Sequence, residues 1–297
     1  MTKKTRNWLI ALCILAFPFA LFLGCLIFLA EEPLPPLAPL PNPNGYVDLV
    51  KASKMIEGDV WDYDTAGLEK LRGIVSTNAR VLALARITLT NQCAVPLQFT
   101  QAFQTNRIEV LVGFKSLAQA FVCEGELAEK ENRFGDAARS YLDTIRLGSQ
   151  ITHGGLLIDE LVGISAAWYG ECQFQGIVTN LDAPSCRSAA ATLEMLAAGR
   201  QTLLATMQQE EAWLRRTYGW RGDWYWLKWI HYSARQENLR RVMDAGQRES
   251  RLMIDLAVRA YELDKGKTPA SLAELVPDYL KAVPQDPFTG TNMVHLP

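Results

Sequence analysis

The chain has 297 residues, enough for one large domain or two small ones, and its 49% hydrophobic and 21% charged residues are typical of a folded chain. Its 30 basic and 32 acidic side chains give a formal net charge of −2. Lys3, Lys4 and Arg6 lie in the first seven positions, which leaves 27 basic residues against 32 acidic ones in the rest. Such a mildly acidic body argues against nucleic acid as a partner, because phosphate backbones require clustered Lys and Arg.

An uncharged apolar stretch of 23 residues runs from Trp8 to Ala30. A bilayer core of roughly 30 Å is spanned by about 20 helical residues, so residues 8–30 are predicted to form one transmembrane helix that tolerates Pro18. The basic residues precede this stretch, and Glu31 and Glu32 follow it. The positive-inside rule therefore places residues 1–7 in the cytoplasm and the body outside it, as a single-pass membrane protein with the lipid bilayer as one partner.

Two alternatives for residues 8–30 remain open. A cleaved signal peptide usually has an apolar region of only about 7–15 residues, which is shorter than this one. A lipoprotein signal could end at Gly24-Cys25, but Phe22 stands where such signals usually carry Leu, and the apolar run continues through residues 26–29.

A proline-rich linker is predicted over residues 31–45. Because proline fixes φ and lacks an N–H donor, this stretch favours an extended polyproline II spacer rather than a helix. Its six prolines fall within eleven residues: Pro33, Pro35, Pro36, Pro39, Pro41 and Pro43.

The body, residues 46–250, is predicted to be mainly α-helical, and so is the fold as a whole. Its apolar residues recur every three or four positions, which indicates helices with one buried face. One such stripe comprises Leu68, Leu71, Ile74, Val75, Val81, Leu82, Leu84 and Ala85. The same spacing continues after residue 250, where a second stripe comprises Leu252, Leu256, Ala260 and Leu263. Breakers divide the chain into six to nine helices, at Pro96, Gly154-Gly155, Pro184, Gly219 and Gly222.

One segment, residues 121–148, resembles a tetratricopeptide repeat. The alternation of large and small residues that carries the resemblance consists of Phe121, Gly125, Phe134, Ala137 and Tyr141. In such a repeat the small residues let two antiparallel helices approach, and the aromatic rings fill the space between them. Glu124, Ala128, Thr144 and Ser149 depart from the pattern, and no second copy follows 34 residues away. One hairpin within a helical bundle is expected, because a solenoid requires about three repeats.

The C-terminal segment, residues 251–297, resembles the tails of type II secretion pseudopilins and of similar single-pass bacterial membrane proteins. The matching residues are Tyr261, Gly266, Pro269, Leu272, Leu275, Pro284, Asp286, Pro287, Phe288 and Gly290. Gly266 is predicted to end a helix and Ser271 with Glu274 to form a capping box for the next. The processed start typical of pilins is missing, since the sequence KKTRNW precedes the apolar stretch. The resemblance implies the inner membrane of a bacterial cell and leaves a role in a secretion apparatus open.

No catalytic, cofactor or metal motif is evident in the sequence. His153, followed by two glycines, is typical of an oxyanion-hole loop, but the G-x-S-x-G nucleophile motif is missing, and residues 163–167 only approach it. His153, His231 and His295 have no ligand spacing, and no C-x-x-C occurs. No cofactor and no metal are therefore expected, and the chain is predicted not to be an enzyme. A hydrolase whose site is assembled from distant residues remains the alternative.

Two groups of side chains are candidates for other roles. Of the four body cysteines (the others are Cys93 and Cys123), Cys172 and Cys186 are the closest pair in sequence, and a disulfide between them is a hypothesis for a protein outside the cytoplasm. An aromatic cluster is suited to a core or to a membrane or sugar surface, and the candidate interaction residues in it are Trp220, Trp224, Trp226 and Trp229. The acidic run Glu124, Glu126, Glu129 and Glu131 is predicted to be a solvated helix face.

These observations favour a membrane-tethered helical scaffold or protein-interaction module of the bacterial cell envelope. Its expected partners are the bilayer and a second protein whose identity the sequence does not reveal.

Overall fold

The structure is a computed structural model that describes residues 16–19, 22, 24, 38–61, 65–219, 222 and 234–294. The chain divides into two compact units, 1–38 and 39–297. In the first unit, residues 16–19, 22 and 24 are helical. The predicted tail of residues 1–7, most of the predicted span 8–30 and the first part of the linker lie outside the described residues. Of the helices that are described, none combines the length and the apolar composition required to cross a membrane.

In its described part the second unit is mainly helical, which confirms the predicted mainly α class of the body. The single extended pairing there is an isolated antiparallel bridge between Gln285 and Asn292. The helices are α1 (Gly45–Ser53), α2 (Leu68–Thr88), α3 (Ala102–Lys130), α4 (Phe134–Gln150), α5 (Leu157–Ile177), α6 (Ala183–Gly199), α7 (Leu203–Tyr218) and α8 (Ala234–Lys265), with short 3₁₀ turns at Val178–Asn180 and Leu272–Leu275.

Side-chain caps explain where several helices begin. The amide oxygen of Asn44 accepts from the N–H of Tyr46 at the start of α1. Asp182 accepts from the N–H of Ser185 at 2.8 Å and so starts α6, with Pro184 in the first turn, where its missing N–H costs nothing. The predicted breaker at Pro184 is therefore a helix start.

Glycines allow α4 and α5 to pack closely. A Cβ on Gly148 would lie 2.9 Å from Ala167, and one on Gly170 would lie 2.9 Å from the Cβ of Thr144. Because neither position has room for a methyl group, the backbones of the two helices approach more closely than larger residues would permit. This pair forms the centre of the unit.

Two hydrophobic clusters flank this pair. One gathers buried side chains of α1, α2 and α3 with those of α4 and α5, including Phe114, Phe121 and Leu147. The other gathers side chains of α4, α5, α6 and α8 with the C-terminal segment, including Tyr141 and Phe174. The predicted boundary between residues 250 and 251 falls inside α8, and the residues on both sides of it belong to the same compact unit.

The two predicted stripes are largely buried, with one exception in each. Leu84 on α2 is 43% exposed and Leu263 on α8 is 44% exposed, so the prediction is wrong at these positions. Their neighbours Leu82 and Ala260 are fully buried. Each helix turns its exposed face to solvent at a position that apolar spacing alone assigns to the core.

The segment 121–148 forms a helical hairpin from the end of α3, a turn at residues 131–133 and most of α4. Gly125 packs against the ring of the fully buried Tyr141, so that an added Cβ would lie 2.6 Å from its Cδ1. The hydroxyl of Tyr141 donates to Glu129 at 3.0 Å.

Candidate functional site

A pocket of about 330 Å³ lies between α1, the segment after α2 and the start of α3. Most of its wall is apolar, and the polar members are Gln98, Asn106, Tyr46 and Arg107. Pockets that bind small ligands typically measure about 300–1,000 Å³ and combine apolar walls with a few placed polar groups. The apolar lining residues are Val47, Val50, Pro96, Phe103 and Val110.

Arg107 and Tyr46 are the buried polar residues of this pocket, with 5% and 4% of their surface exposed. The Nη2 of Arg107 donates to the hydroxyl of Tyr46 at 3.2 Å and to Oδ1 of Asp159. The guanidinium also lies over the ring of Phe103, 4.9 Å from its centroid. Its Nε is buried and has no hydrogen-bond partner among the described residues.

Asp159 pairs with Arg107 from the first turn of α5 and is not among the residues that line the pocket. Its other carboxylate oxygen accepts from the N–H of Leu156 at 2.7 Å and so stabilises the start of α5. Burial raises the pKa of Asp159 to about 6, against the opposing influence of Arg107. Glu210 of α7 accepts from the N–H of Leu157 at 2.9 Å, and burial raises its pKa as well.

The position of Tyr46 is fixed by Asn44, which precedes α1. The side-chain amide of Asn44 donates to the carbonyl of Ala94 at 2.7 Å and accepts from its N–H at 3.0 Å. This pair of bonds holds the start of α1 against the segment that forms another wall of the pocket. Burial raises the pKa of Tyr46, so its hydroxyl is neutral and remains a hydrogen-bond donor.

A second buried polar cluster lies between α5, the end of α6 and α8. Arg248 donates to Glu171 at 3.3 Å, and Arg200 contacts Glu249 at 2.7 Å. Burial, and then the charge of Glu249, raises the pKa of Glu171 to about 7. Burial also raises the pKa of Glu249, whose Oε1 has no hydrogen-bond partner among the described residues. The carboxyl of Glu171 can therefore hold a proton near neutral pH.

His153, the histidine considered for an oxyanion-hole loop, contacts the backbone at the end of α6. Its Nε2 lies 3.2 Å from the carbonyl oxygen of Gly199, and its buried Nδ1 has no hydrogen-bond partner in the part of the chain that the structure describes. Among the described residues, no hydrogen bond or ion pair joins His153 to a carboxylate. Ser165, in the stretch that approaches a nucleophile motif, donates to the carbonyl of Leu161 within α5. His231 and His295 lie outside the described residues.

The predicted solvated acidic face is wrong for most of its members. Glu124 binds Arg86 of α2 and accepts from Ser140 of α4 at 2.7 Å, so it connects three helices. Arg86 also contacts the buried Asp143 at 2.7 Å. Glu129 accepts from Tyr141, and Glu131 contacts Arg72 at 3.0 Å. The prediction of solvent exposure failed because acidic residues on a long helix also form ion pairs with arginines that are distant in sequence.

The four body cysteines are free thiols in the structure. Cys186 is fully buried in the core, whereas Cys172 is exposed on α5, so the hypothesised bridge between them is not formed. Burial raises the pKa of the Cys186 thiol to about 11.

The candidate interaction residues Trp220, Trp224, Trp226 and Trp229 lie outside the described residues. Trp213, the tryptophan that precedes them in the sequence, is a core residue with 1% of its surface exposed. Its indole N–H donates to the carbonyl of Gln98 at 2.9 Å, and its ring packs against Phe103.

The C-terminal motif residues shape a compact tail. Gly266 ends α8 with a φ of 69°, and Gly290 has a φ of 68° in a turn closed by its N–H to the carbonyl of Asp286, as glycine permits. Tyr261 donates to Glu274 at 2.5 Å. Glu274 also accepts from Ala270 rather than capping with Ser271, so the predicted capping box is wrong. Pro269 and Pro284 are half-buried, and Pro287 lies near Gly246 of α8.

The prediction of site residues missed Arg107 and Asp159, although the sequence contains a signal for each. Phe103, Arg107, Leu111 and Phe114 follow at helical spacing, which places a charge on an apolar stripe. Asp159 follows two glycines at the start of a helix, where carboxylates cap free N–H groups.

Comparisons with protein-family models, with curated proteins and with solved structures gave no match to this chain. Among the described residues, no group of three or more His, Cys, Asp or Glu side chains is placed to hold a metal ion.

Proposed function

We propose that this chain is a membrane-tethered helical protein of the bacterial cell envelope, and that its body acts as a scaffold or protein-interaction module. The observation that carries the proposal is the uncharged stretch from Trp8 to Ala30, preceded by Lys3, Lys4 and Arg6. Water disfavours an apolar segment of this length, and a bilayer accommodates it as a helix. In this proposal residues 1–7 are cytoplasmic, and the proline-rich segment separates the body from the bilayer.

The structure of the body supports an interaction role more than a catalytic one. Partly buried charge pairs join its helices to each other, as Arg86 does with Glu124 and Asp143. His153 contacts a backbone carbonyl rather than a carboxylate. The hairpin that resembles a tetratricopeptide repeat is the part of the body with the clearest likeness to an interaction module, and its resemblance stays a prediction, as does that of the tail to pseudopilins.

Ile108 and Val112 are candidates for the partner surface. They lie one turn apart on α3 and are 60% and 52% exposed. Single exposed apolar residues are ordinary, but two branched side chains on one face form a continuous patch that a partner can cover.

The tether is tested on the full-length chain in its host membrane. The chain is expected to stay in the pellet after extraction with alkaline carbonate, and protease added to the extracytoplasmic side is expected to degrade the body. Replacing Leu15 and Leu21 with Asp places two charges in the apolar stretch and is expected to release the chain. A wild-type chain found in the soluble fraction would refute the tether.

The interaction role is tested with a photo-crosslinking residue at Ile108, again in intact membranes. A discrete adduct with a second protein is expected there. A matched substitution at Arg139, an exposed side chain on α4 that is 66% accessible, is expected to give none. A second probe is placed at Val112. Equal labelling from Ile108 and Arg139, or no adduct from either Ile108 or Val112, would remove this face as the partner surface.

A further inference from the structure

At the wall of the pocket, the buried Arg107 has a hydrogen-bond donor, Nε, that finds no acceptor among the described residues. A guanidinium has five N–H donors, and the two bonds from Arg107 both leave from Nη2. The hydroxyl of Tyr46 accepts from Arg107, and its own proton has no acceptor among the described residues. Buried polar groups are nearly always paired, so donors left over beside a pocket indicate an acceptor that occupies it.

The charge on Arg107 is compensated from outside the pocket. Asp159 binds the guanidinium from α5 and is used on its other side by the N–H of Leu156. The carboxylate therefore keeps Arg107 buried and oriented at the wall of the pocket, where its Nε has no partner among the described residues. Contacts with the rings of Phe103 and Tyr46, at 4.9 and 5.9 Å from their centroids, fix the plane of the guanidinium further.

The rest of the pocket suits an apolar group of moderate size. Its walls are aliphatic and aromatic, and its volume of about 330 Å³ is near the lower limit for small-molecule sites. Gln98 and Asn106 are exposed lining residues, so they lie toward the opening rather than the buried end. A ligand that matches these features has one acceptor group at one end and a compact apolar body.

We infer that this pocket binds an organic carboxylate with a compact apolar body, whose oxygens accept hydrogen bonds from Tyr46 and Arg107. Arginine is suited to this recognition because its planar donors match the geometry of a carboxylate. The same chemistry is offered by a free small acid and by the C-terminus of a peptide that ends in an apolar residue. The inference is based on the pocket alone and is independent of the membrane tether.

The test is calorimetric titration of the full-length chain in a non-ionic detergent. The first probe is phenylacetate, and the matched neutral probe is phenylacetamide, which has the same body but carries no charge. Phenylacetate is expected to bind at least about tenfold more tightly, because hydrogen bonds to a charged acceptor contribute about 1.5–3 kcal/mol. Equal affinities for the acid and the amide would overturn the inference.

Variants locate the binding. Tyr46→Phe keeps the ring and removes the donor, and it is expected to weaken binding of phenylacetate about fivefold to tenfold. Val47→Phe narrows the pocket from a wall residue that is 42% exposed, and it is expected to abolish binding without disturbing the core. Tyr279→Phe serves as the control. It removes a buried hydroxyl that donates to Asp264 at 3.0 Å, and neither residue lines the pocket. Unchanged affinity in both pocket variants would refute this site.

A second pair of probes distinguishes the source of the carboxylate. N-acetyl-Ala-Phe with a free C-terminus is compared with the same dipeptide amidated. Tighter binding of the free dipeptide than of phenylacetate identifies a peptide C-terminus, and the reverse order identifies a small free acid. If neither acid binds at concentrations up to about 10 mM, where a millimolar Kd would be visible, the inference is wrong.

Discussion

The replacement Glu171→Gln tests the second buried cluster by its pH dependence. Glu171 is 6% exposed, and it contacts Arg248 at 3.3 Å while the charge of Glu249 opposes its ionisation. Glutamine has nearly the same shape and keeps an acceptor for Arg248, but it does not ionise. Any difference between the pH profiles of the two proteins therefore reports on the ionisation of this carboxyl and its neighbour.

The magnitude follows from the difference in pKa between the folded and unfolded chains. Burial raises the pKa of Glu171 from 4.5 to about 7, so the folded chain binds a proton that the unfolded chain has already released. A raised carboxyl pKa stabilises the folded state fully below the unfolded value, and this stabilisation is lost as pH rises through the folded value. Between about pH 5 and pH 8, the loss is about 2.5 kcal/mol. Replacing Glu171 also relieves Glu249 at the higher pH, which adds to the effect in the same direction.

The assay is urea unfolding of both full-length chains in detergent, followed by circular dichroism across this pH range. The free energy of unfolding of Glu171→Gln, relative to wild type, is expected to increase by about 2.5 kcal/mol from acidic to alkaline pH, a shift of about 1 M in the relative midpoint. A matched replacement, Glu237→Gln, lies in an exposed pair with Arg241 on α8 and is expected to show no such trend. Parallel pH profiles for wild type and Glu171→Gln would refute this account of the cluster.

Three further predictions concern the fold of the body. Gly125→Ala is expected to destabilise it by about 2 kcal/mol in the same unfolding assay, because its methyl group meets the ring of Tyr141, whereas Gly73→Ala, in open space on α2, is expected to stabilise it by about 0.5–1 kcal/mol; equal effects would contradict the packing of the hairpin. Asn44→Ala removes the cap of α1 and the hydrogen bonds that hold α1 to the segment after α2. It is expected to lower the free energy of unfolding by about 1–2 kcal/mol. A smaller decrease than that of a control substitution at an exposed site would argue against this role of Asn44. Thiol titration without reductant is expected to label Cys172 in the folded chain, while the buried thiols of Cys93, Cys123 and Cys186 react only after unfolding. Fewer reactive thiols without reductant than with it would indicate a disulfide bridge.

The helical class of the body could be predicted because apolar spacing is a local property. The stripe through Leu71, Ile74 and Leu82 is buried in α2, as its period requires. Gly266 ends α8 with a positive φ, as its sequence context indicated. Each of these features is determined within a few residues, so a single sequence is sufficient to indicate it.

The pairing of charges could not be predicted in the same way. Arg107 and Asp159 are 52 positions apart, and Arg86 meets Glu124 across 38 positions. Nothing in the local spacing of these arginines indicates which of the many carboxylates in the chain is the partner of each. The contact depends on how the helices pack, and that packing depends in turn on close approaches such as Gly148 against α5. Local spacing therefore places the acidic run of α3 in solvent, although Glu124 contacts Arg86 of α2 and Ser140 of α4.

The different partners of Arg86 and Arg107 explain why Arg107 is suited to bind a ligand, whereas Arg86 has a structural role. Arg86 is bound to carboxylates on two helices and to Ser140, so most of its donors are used inside the protein. Arg107, by contrast, is paired with a single carboxylate among the described residues, that of Asp159, and it also lines a pocket. A lone buried guanidinium would be costly, and removing the partner of a buried pair typically costs about 3–5 kcal/mol. Asp159 meets that cost without closing the pocket, so the charge stays in place before a ligand arrives. A second carboxylate then has only to add hydrogen bonds to a group that is already desolvated and oriented, which is the condition under which binding loses least entropy.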